Sequence, residues 1–273
     1  MHAHQIGAIA FVAGFCAAIG AAQAHDDAAY PNWRGQWTRS VGTQWDPTKP
    51  PSRGQQPPLT AEYQAIWEVS LAEQRRGGQS YKPQVRCTPS GMPQMMIGYE
   101  PFEFIVTPQM TFMRMVYMHE YRHIYTDGRA WPEKITPSFA GYSIGKWVDQ
   151  DGDGKYDVLE METRGFKGPR IFDPTGIPLH ADNQTVIKER MYLTGEGAIN
   201  DEITTFDNAL TRPWTVTRKY KRERAANWAE YVCQEHNTLL MLQDETYFIR
   251  EDGLLMPSRR DQPPPDLRNF TQK

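Results

Sequence analysis

With three cysteines, no Cys-x-x-Cys pair and no zinc-ligand spacing, the sequence lacks the motif of a dithiol redox enzyme or a zinc fold. It also lacks a charge bias: the formal net charge is −3, Lys and Arg are dispersed, and no basic run offers a nucleic-acid footprint. Long apolar runs are missing too, apart from 6–22. The start before it is unusual for a signal in carrying His2 and His4 but no Lys or Arg, yet the run is short for a membrane span and ends in Ala22-Gln23-Ala24, a small-x-small cleavage pattern. Residues 1–24 therefore read as a secretory signal peptide, with an uncleaved anchor as the alternative. The expected product is periplasmic or secreted, with no stable membrane insertion.

Cys16 leaves with the signal, so Cys87 and Cys233 remain. In an oxidising compartment such a pair predicts one disulfide, and two buried free thiols are the alternative. Twenty-one prolines, twenty-one glycines and 12% aromatics favour strands and structured loops over a helical bundle. Residues 25–59 form an N-terminal extended segment with Trp33 and Trp37, a G-x-W of the kind that closes one end of lipocalin-like barrels, and a Pro-rich connector. Thr60 then caps one helix whose stripe is Tyr63, Ile66, Trp67, Ser70, Leu71 and Gln74, ended by Gly77-Gly78.

From Phe102 the chain turns to β-branched and aromatic runs: "PFEFIVTP", "MTFMRMVYM", "RHIYTDG", "GYSIGKWV", "YDVLEMET", "QTVIKERMYL", "DEITTFD", "PWTVTRKYKR" and "AEYVCQEH". Successive antiparallel strands without crossover helices close most economically into a barrel. The expected fold is mainly β, an antiparallel lipocalin-like (calycin-type) β-barrel over 60–257 with one N-terminal helix and a flexible tail over 258–273.

"DQDGDGKYD", residues 149–157, concentrates carboxylates that repel unless a cation holds them. Asp149, Asp151, Asp153 and Asp157 with the Lys155 carbonyl fit the calcium-loop spacing D-x-D-x-D-G-x-x-D. Glu160 occupies the twelfth place of an EF-hand loop, but the flanks read as strands, where Glu160 need not reach the ion. The ion expected here is a structural calcium, and an acidic hairpin tip without metal is the bland alternative.

Chemistry is sought in the polar residues near the barrel rim. Val158, Glu160 and Glu162 share one face of their strand, and Glu189 and Arg190 point to opposite faces of theirs. His180 lies in a long polar connection and titrates near neutral pH, so it is the leading acid–base candidate with Glu162 or Glu189. Arg129, Trp131, Tyr142, Arg190 and Trp214 are candidate ligand-binding residues. Arg170, Asp173, Asp182 and Asp207 stand close in the sequence, each with an ordinary structural reading beside the functional one.

"CTPSGMPQMM", "RHIYTDGRAWP", "GYSIGKWV", "GFKGPR", "HADNQTVIKERMYL" and "EYVCQEHN" together resemble a large, mostly uncharacterised family of secreted bacterial proteins, over 60–237. The likeness puts His180 and the Glu189-Arg190 pair on the family's later His and E-R positions. Tyr142 stands where many relatives have a histidine, and Glu162 where they have an aspartate. The expected function is a small-molecule cavity used by a lyase, isomerase or hydrolase on a hydrophobic or aromatic compound. The alternatives are a non-catalytic lipocalin-like carrier and a structural envelope protein.

Overall fold

Along 214–222 the side chains alternate between buried and exposed, and Trp214, Val216, Arg218 and Tyr220 take the buried side. The same period-two pattern recurs in 110–115 and 199–206, so each strand has one face turned to a common interior. The computed structural model describes residues 27–40, 56–78, 87–97, 100–195, 197–226, 229–236, 238–242 and 245–268. The expected signal peptide and most of the Pro-rich connector lie outside them.

In chain order the elements are β1 (Gln36–Arg39), α1 (Ala61–Arg75), β2 (Phe102–Val106), β3 (Met110–Met115), β4 (Tyr121–Tyr125), β5 (Tyr142–Val148), β6 (Val158–Arg164), β7 (Arg170–Ile171) and β8 (Pro178–Leu179). They continue as β9 (Val186–Leu193), β10 (Ile199–Phe206), β11 (Trp214–Arg222), α2 (Cys233–His236), β12 (Leu239–Leu242), β13 (Glu245–Ile249) and β14 (Leu255–Pro257). Nine strands close a barrel in the order β1-β11-β10-β9-β6-β5-β4-β3-β2. The fold is thus mainly β, a lipocalin-like barrel with one long helix. Among the described residues no helix is long and apolar enough to cross a membrane.

Three details depart from the expectation. The first barrel strand is β1, ahead of 60–257: Trp37 pairs with Arg222 on one side and Phe102 on the other. β4 and β5 run parallel, meeting only at Ile124↔Ser143 and Tyr125↔Ile144, because 126–141 return the chain to the same end before β5 starts. Finally, the barrel ladder ends at Arg222. "AEYVCQEH" carries the short α2 rather than a strand, and β12, β13 and β14 form a separate three-stranded sheet.

One end of the barrel is closed by aromatic rings. Trp33 and Trp37 are fully buried, the Trp37 indole N–H donates to the Trp33 carbonyl at 2.8 Å, and Arg222 stacks over Trp37 at 4.5 Å. Trp147 and Phe104 pack against Trp33, and Tyr30 and Tyr156 extend the stack toward the acidic loop. At the other end lies α1, whose Thr60 hydroxyl accepts from the Tyr63 N–H at 3.4 Å. Its Trp67 joins Ile97, Phe172, Ile177, Leu179 and Trp214 in a second apolar cluster. Cys87 and Cys233 form the expected disulfide, with Cα atoms 5.7 Å apart.

Candidate functional site

Between these two apolar ends the barrel interior is polar. β4 turns Arg122 inward, and its side chain is 1% exposed. The guanidinium is fully engaged: Nη1 donates to Glu189 Oε1 at 2.8 Å, Nη2 pairs with Glu189 Oε2 and donates to Thr163 Oγ1 at 2.9 Å, and Nε donates to Ser143 Oγ at 3.2 Å. Ser143 and Thr163 are cross-strand partners on β5 and β6, and their hydroxyls bond each other at 2.8 Å. Two hydroxyls and one carboxylate thus hold one guanidinium in a dry setting, where each bond counts for more than at the surface.

β10 and β11 supply the rest. Asp201 and Arg218 stand directly opposite in the ladder, and neither is exposed. Tyr220 donates its hydroxyl to the Met96 carbonyl at 2.7 Å and lies 3.4 Å from Asp201 Oδ2. Burial, then the Glu189 charge, pushes the Asp201 carboxyl well above the ordinary carboxylate range, against the pull of Arg122, Tyr220 and Arg218. Burial and the neighbouring Asp201 likewise raise the Tyr220 phenol, so it stays a donor. Asp173, in the loop after β7, is also raised by burial, although Thr175 bonds its Oδ1. Asp201 Oδ1, Asp173 Oδ2 and all three Arg218 nitrogens have no hydrogen-bond partner among the described residues.

The rest of the interior is soft. Met92, Met95, Met96, Met113, Met115, Met161 and Met191 all belong to the core cluster, and unbranched thioethers repack around guests of differing shape.

The residues picked out from sequence are distributed differently. Glu189 faces the interior and Arg190 the outside, as strand alternation requires. Glu162 is on the outer face, bonded to Arg164 and 3.5 Å from Lys188. His180 sits beyond the barrel end, its side chain 37% exposed, with Nδ1 accepting from the Asp182 N–H at 3.2 Å and the ring beside Tyr63 of α1. The structure therefore does not bring His180, Glu162 and Glu189 together: a strand side chain at even register cannot meet one at odd register across the wall.

Arg129, Trp131 and Tyr142 do meet, but outside the barrel. Arg129 forks onto Asp127 and lies 3.8 Å from the Tyr125 ring centre, Tyr125 stacks on Tyr142, and Trp131 lies between Tyr142 and Arg164. Arg129, Glu162 and Arg190 line an open outer groove of about 550 Å³ with Lys146, Glu160 and Lys188. Its charges pair with one another, Lys146 with Glu160 at 3.0 Å among them, which is how a solvated sheet face behaves. Trp214 is buried against Phe172 at 4.0 Å between ring centres, in the cluster under α1.

The acidic loop is a set of side-chain-bonded turns. Asp149 accepts the N–H groups of Gly152 and Gly154 at 2.7 and 2.9 Å, Asp153 accepts that of Lys155, and Asp157 accepts that of Gln150. Gly152 and Gly154 both have positive φ, +78° and +86°, which side chains resist. Asp149, Asp151 and Asp153 each offer an oxygen within 4.8 Å of the others.

No protein-family model matches the sequence, and no curated protein matches it at a significant level. The arrangement of residues is therefore the basis for function. Arg122, Asp201, Arg218 and Tyr220 were not among the sequence candidates, yet they carried a signal. Asp201 lies between the inward-facing Ile199 and Ile203, Arg218 follows Val216, and Arg122 precedes Ile124 on the same faces.

Proposed function

We propose that this is a secreted barrel that takes a small hydrophobic or aromatic molecule into its interior and acts on it by acid–base chemistry, as a lyase, isomerase or hydrolase. The observation that carries this reading is the pair of buried, electrostatically interacting carboxyl groups on adjacent strands of the barrel interior. Glu189 is ion-paired with Arg122, while burial beside that charge raises the Asp201 carboxyl well above the ordinary carboxylate range. Two carboxyl groups whose environments are driven apart in this way divide naturally into base and acid. Tyr220 orients Asp201, and the seven methionines supply adaptable apolar walls. Those walls equally suit a non-catalytic carrier, the second reading.

The discriminating experiment is native mass spectrometry of the purified full chain, followed by incubation of whatever compound it retains with fresh wild type and with Asp201→Asn. Turnover by wild type but not by the variant is expected. A retained compound that neither protein changes favours the carrier, and a chain that retains and converts nothing removes both readings. Asp201 also sets a pH dependence. Its carboxyl keeps the proton in the folded barrel at a pH where the unfolded chain, with a value of about 3.9, has lost it. That contribution to stability is complete below the unfolded value and is lost as pH climbs toward the raised one. Urea midpoints should accordingly fall across that window in wild type, and Asp201→Asn should flatten the slope.

A structural calcium in the 149–157 loop belongs to the same proposal. Three carboxylates whose oxygens lie within 4.8 Å of one another suit ligands 2.3–2.6 Å from one ion, a range usual for calcium. At free calcium a hundredfold above the dissociation constant, linkage predicts about 2.7 kcal/mol of added stability. Asp151→Ala should abolish the gain, and identical melting temperatures in calcium and in chelator would sink the site. The disulfide and the signal-like N-terminus both fit an oxidising compartment such as the periplasm.

A further inference from the structure

We propose that Arg218 anchors a carboxylate on the molecule taken into the barrel, so that the ligand is an organic acid; this rests on the interior being a small-molecule site. Three arginines are essentially buried among the described residues: Arg122, Arg170 and Arg218. Arg122 is bonded by Glu189, Ser143 and Thr163, and Arg170 by the His180 carbonyl and Thr185. Arg218 is 0% exposed, and none of its three nitrogens has a partner among the described residues. A guanidinium carries five N–H donors, and withholding protein partners from all of them in a buried setting is costly. Such an orphan points to a group that the protein chain does not itself provide.

The surroundings say what that group is. Asp201 stands opposite Arg218 in the ladder, but its Oδ2 is directed to Tyr220 and its Oδ1 is unbonded, and the two side chains form no ion pair. Asp173 likewise spends Oδ1 on Thr175 and leaves Oδ2 unbonded. The charged and titratable groups acting on Arg218 are Tyr220, Asp173, Arg39 and Asp201. The buried Glu189 carboxylate is already paired with Arg122. Burial raises Asp201 and Asp173 above the ordinary carboxylate range, so both hold their protons to higher pH than free carboxyl groups and compete less as anions. A planar fork without a partner carboxylate matches a carboxylate on a guest, which can accept two parallel N–H bonds from it. The methionines of the core cluster would repack against the apolar body of the acid.

The test uses melting curves of the full chain with sodium formate, acetate, benzoate and phosphate. Sodium chloride at matched ionic strength serves as the blank, and formamide, acetamide and benzamide as neutral counterparts. Wild type is compared with Arg218→Met and Arg218→Lys. At least one carboxylate is expected to raise the wild-type melting temperature where its amide does not. Arg218→Met should melt higher than wild type without ligand, because a buried unpaired charge has been replaced by a side chain of similar length, and should lose the carboxylate response. Arg218→Lys should keep that response with affinity weaker by about tenfold, having the charge without the fork. An Arg218→Met protein that melts lower than wild type, or does not fold, overturns the proposal, since the guanidinium is then held by the barrel itself. A response confined to phosphate overturns the organic acid. If acids and amides stabilise wild type and Arg218→Met alike, the anchor fails while small-molecule binding survives. If no acid or amide has any effect and the chain also retains no compound, both fail.

Discussion

Glu189→Ala is expected to destabilise the barrel by about 3–5 kcal/mol, the usual cost of stripping one partner from a buried ion pair. The magnitude follows from what is left behind. Arg122 is 1% exposed, and with Glu189 gone its Nη1 loses its partner and its charge is uncompensated, with Ser143 and Thr163 as remaining acceptors. Water cannot repay the loss unless it enters the chamber. The double variant Arg122→Met/Glu189→Leu removes both charges and should return to within about 1–2 kcal/mol of wild type, because apolar residues of similar volume replace buried pairs at little cost. Denaturant midpoints with an unchanged slope would measure both. A Glu189→Ala protein as stable as wild type would show that the pair is already hydrated, and would take the acid–base proposal down with it.

The second large effect concerns the covalent link. Replacing Cys87 and Cys233 together by serine should cost about 2–5 kcal/mol. The crosslink spans 146 residues of sequence, so most of its effect falls on the unfolded chain, whose freedom it restricts. In the native state it fastens α2, which has left the barrel wall, back to the segment leading into 91–97. The neighbouring contacts are slight: the Tyr231 N–H donates to His119 Nε2 at 3.0 Å, and Tyr231 stacks on Tyr117. Guanidinium titration of the double serine variant against wild type gives the value directly, and coincident curves would contradict it.

Much of the wall was legible because alternation survives in a single strand. Eight of the barrel strands, β2 through β6 and β9 through β11, follow from period-two runs bounded by turn residues. α1 follows from its Thr60 cap, although Ile66 on the expected stripe is 44% exposed. β1 was not legible: four residues between proline-bearing segments carry too little periodicity, and its place is fixed by tertiary pairing with β11 and β2. β12 to β14 were missed for a similar reason, since three short strands stabilise one another only as a sheet.

The site was half legible. Alternation put Glu189 and Arg190 on opposite faces without saying which is inside, and the structure turns Glu189 inward; the same alternation held information for Asp201 and Arg218. Reading chemistry from titratable loop residues favoured His180 instead, because a histidine in a polar connection is conspicuous while a charged residue on an apolar strand face looks like an exception. Which inward positions share a level inside the barrel depends on strand stagger, and no single segment records that.

The closing strand pair has a consequence for how the molecule forms. β1 begins at Gln36 and is held on one flank by β11, which ends at Arg222, so the wall is complete only when the two extremes of the ladder meet. Hairpins such as β2–β3 and β9–β10 assemble from neighbours in sequence and need only short searches. The β1–β11 seam must instead wait for a long loop to close, and topologies with such distant pairings fold on the millisecond-to-second scale rather than in microseconds. Until that seam forms, the methionine-lined interior and its buried arginines stand open to water. A chain emerging in order from its first residue spends that whole interval as an open sheet with two bare edges.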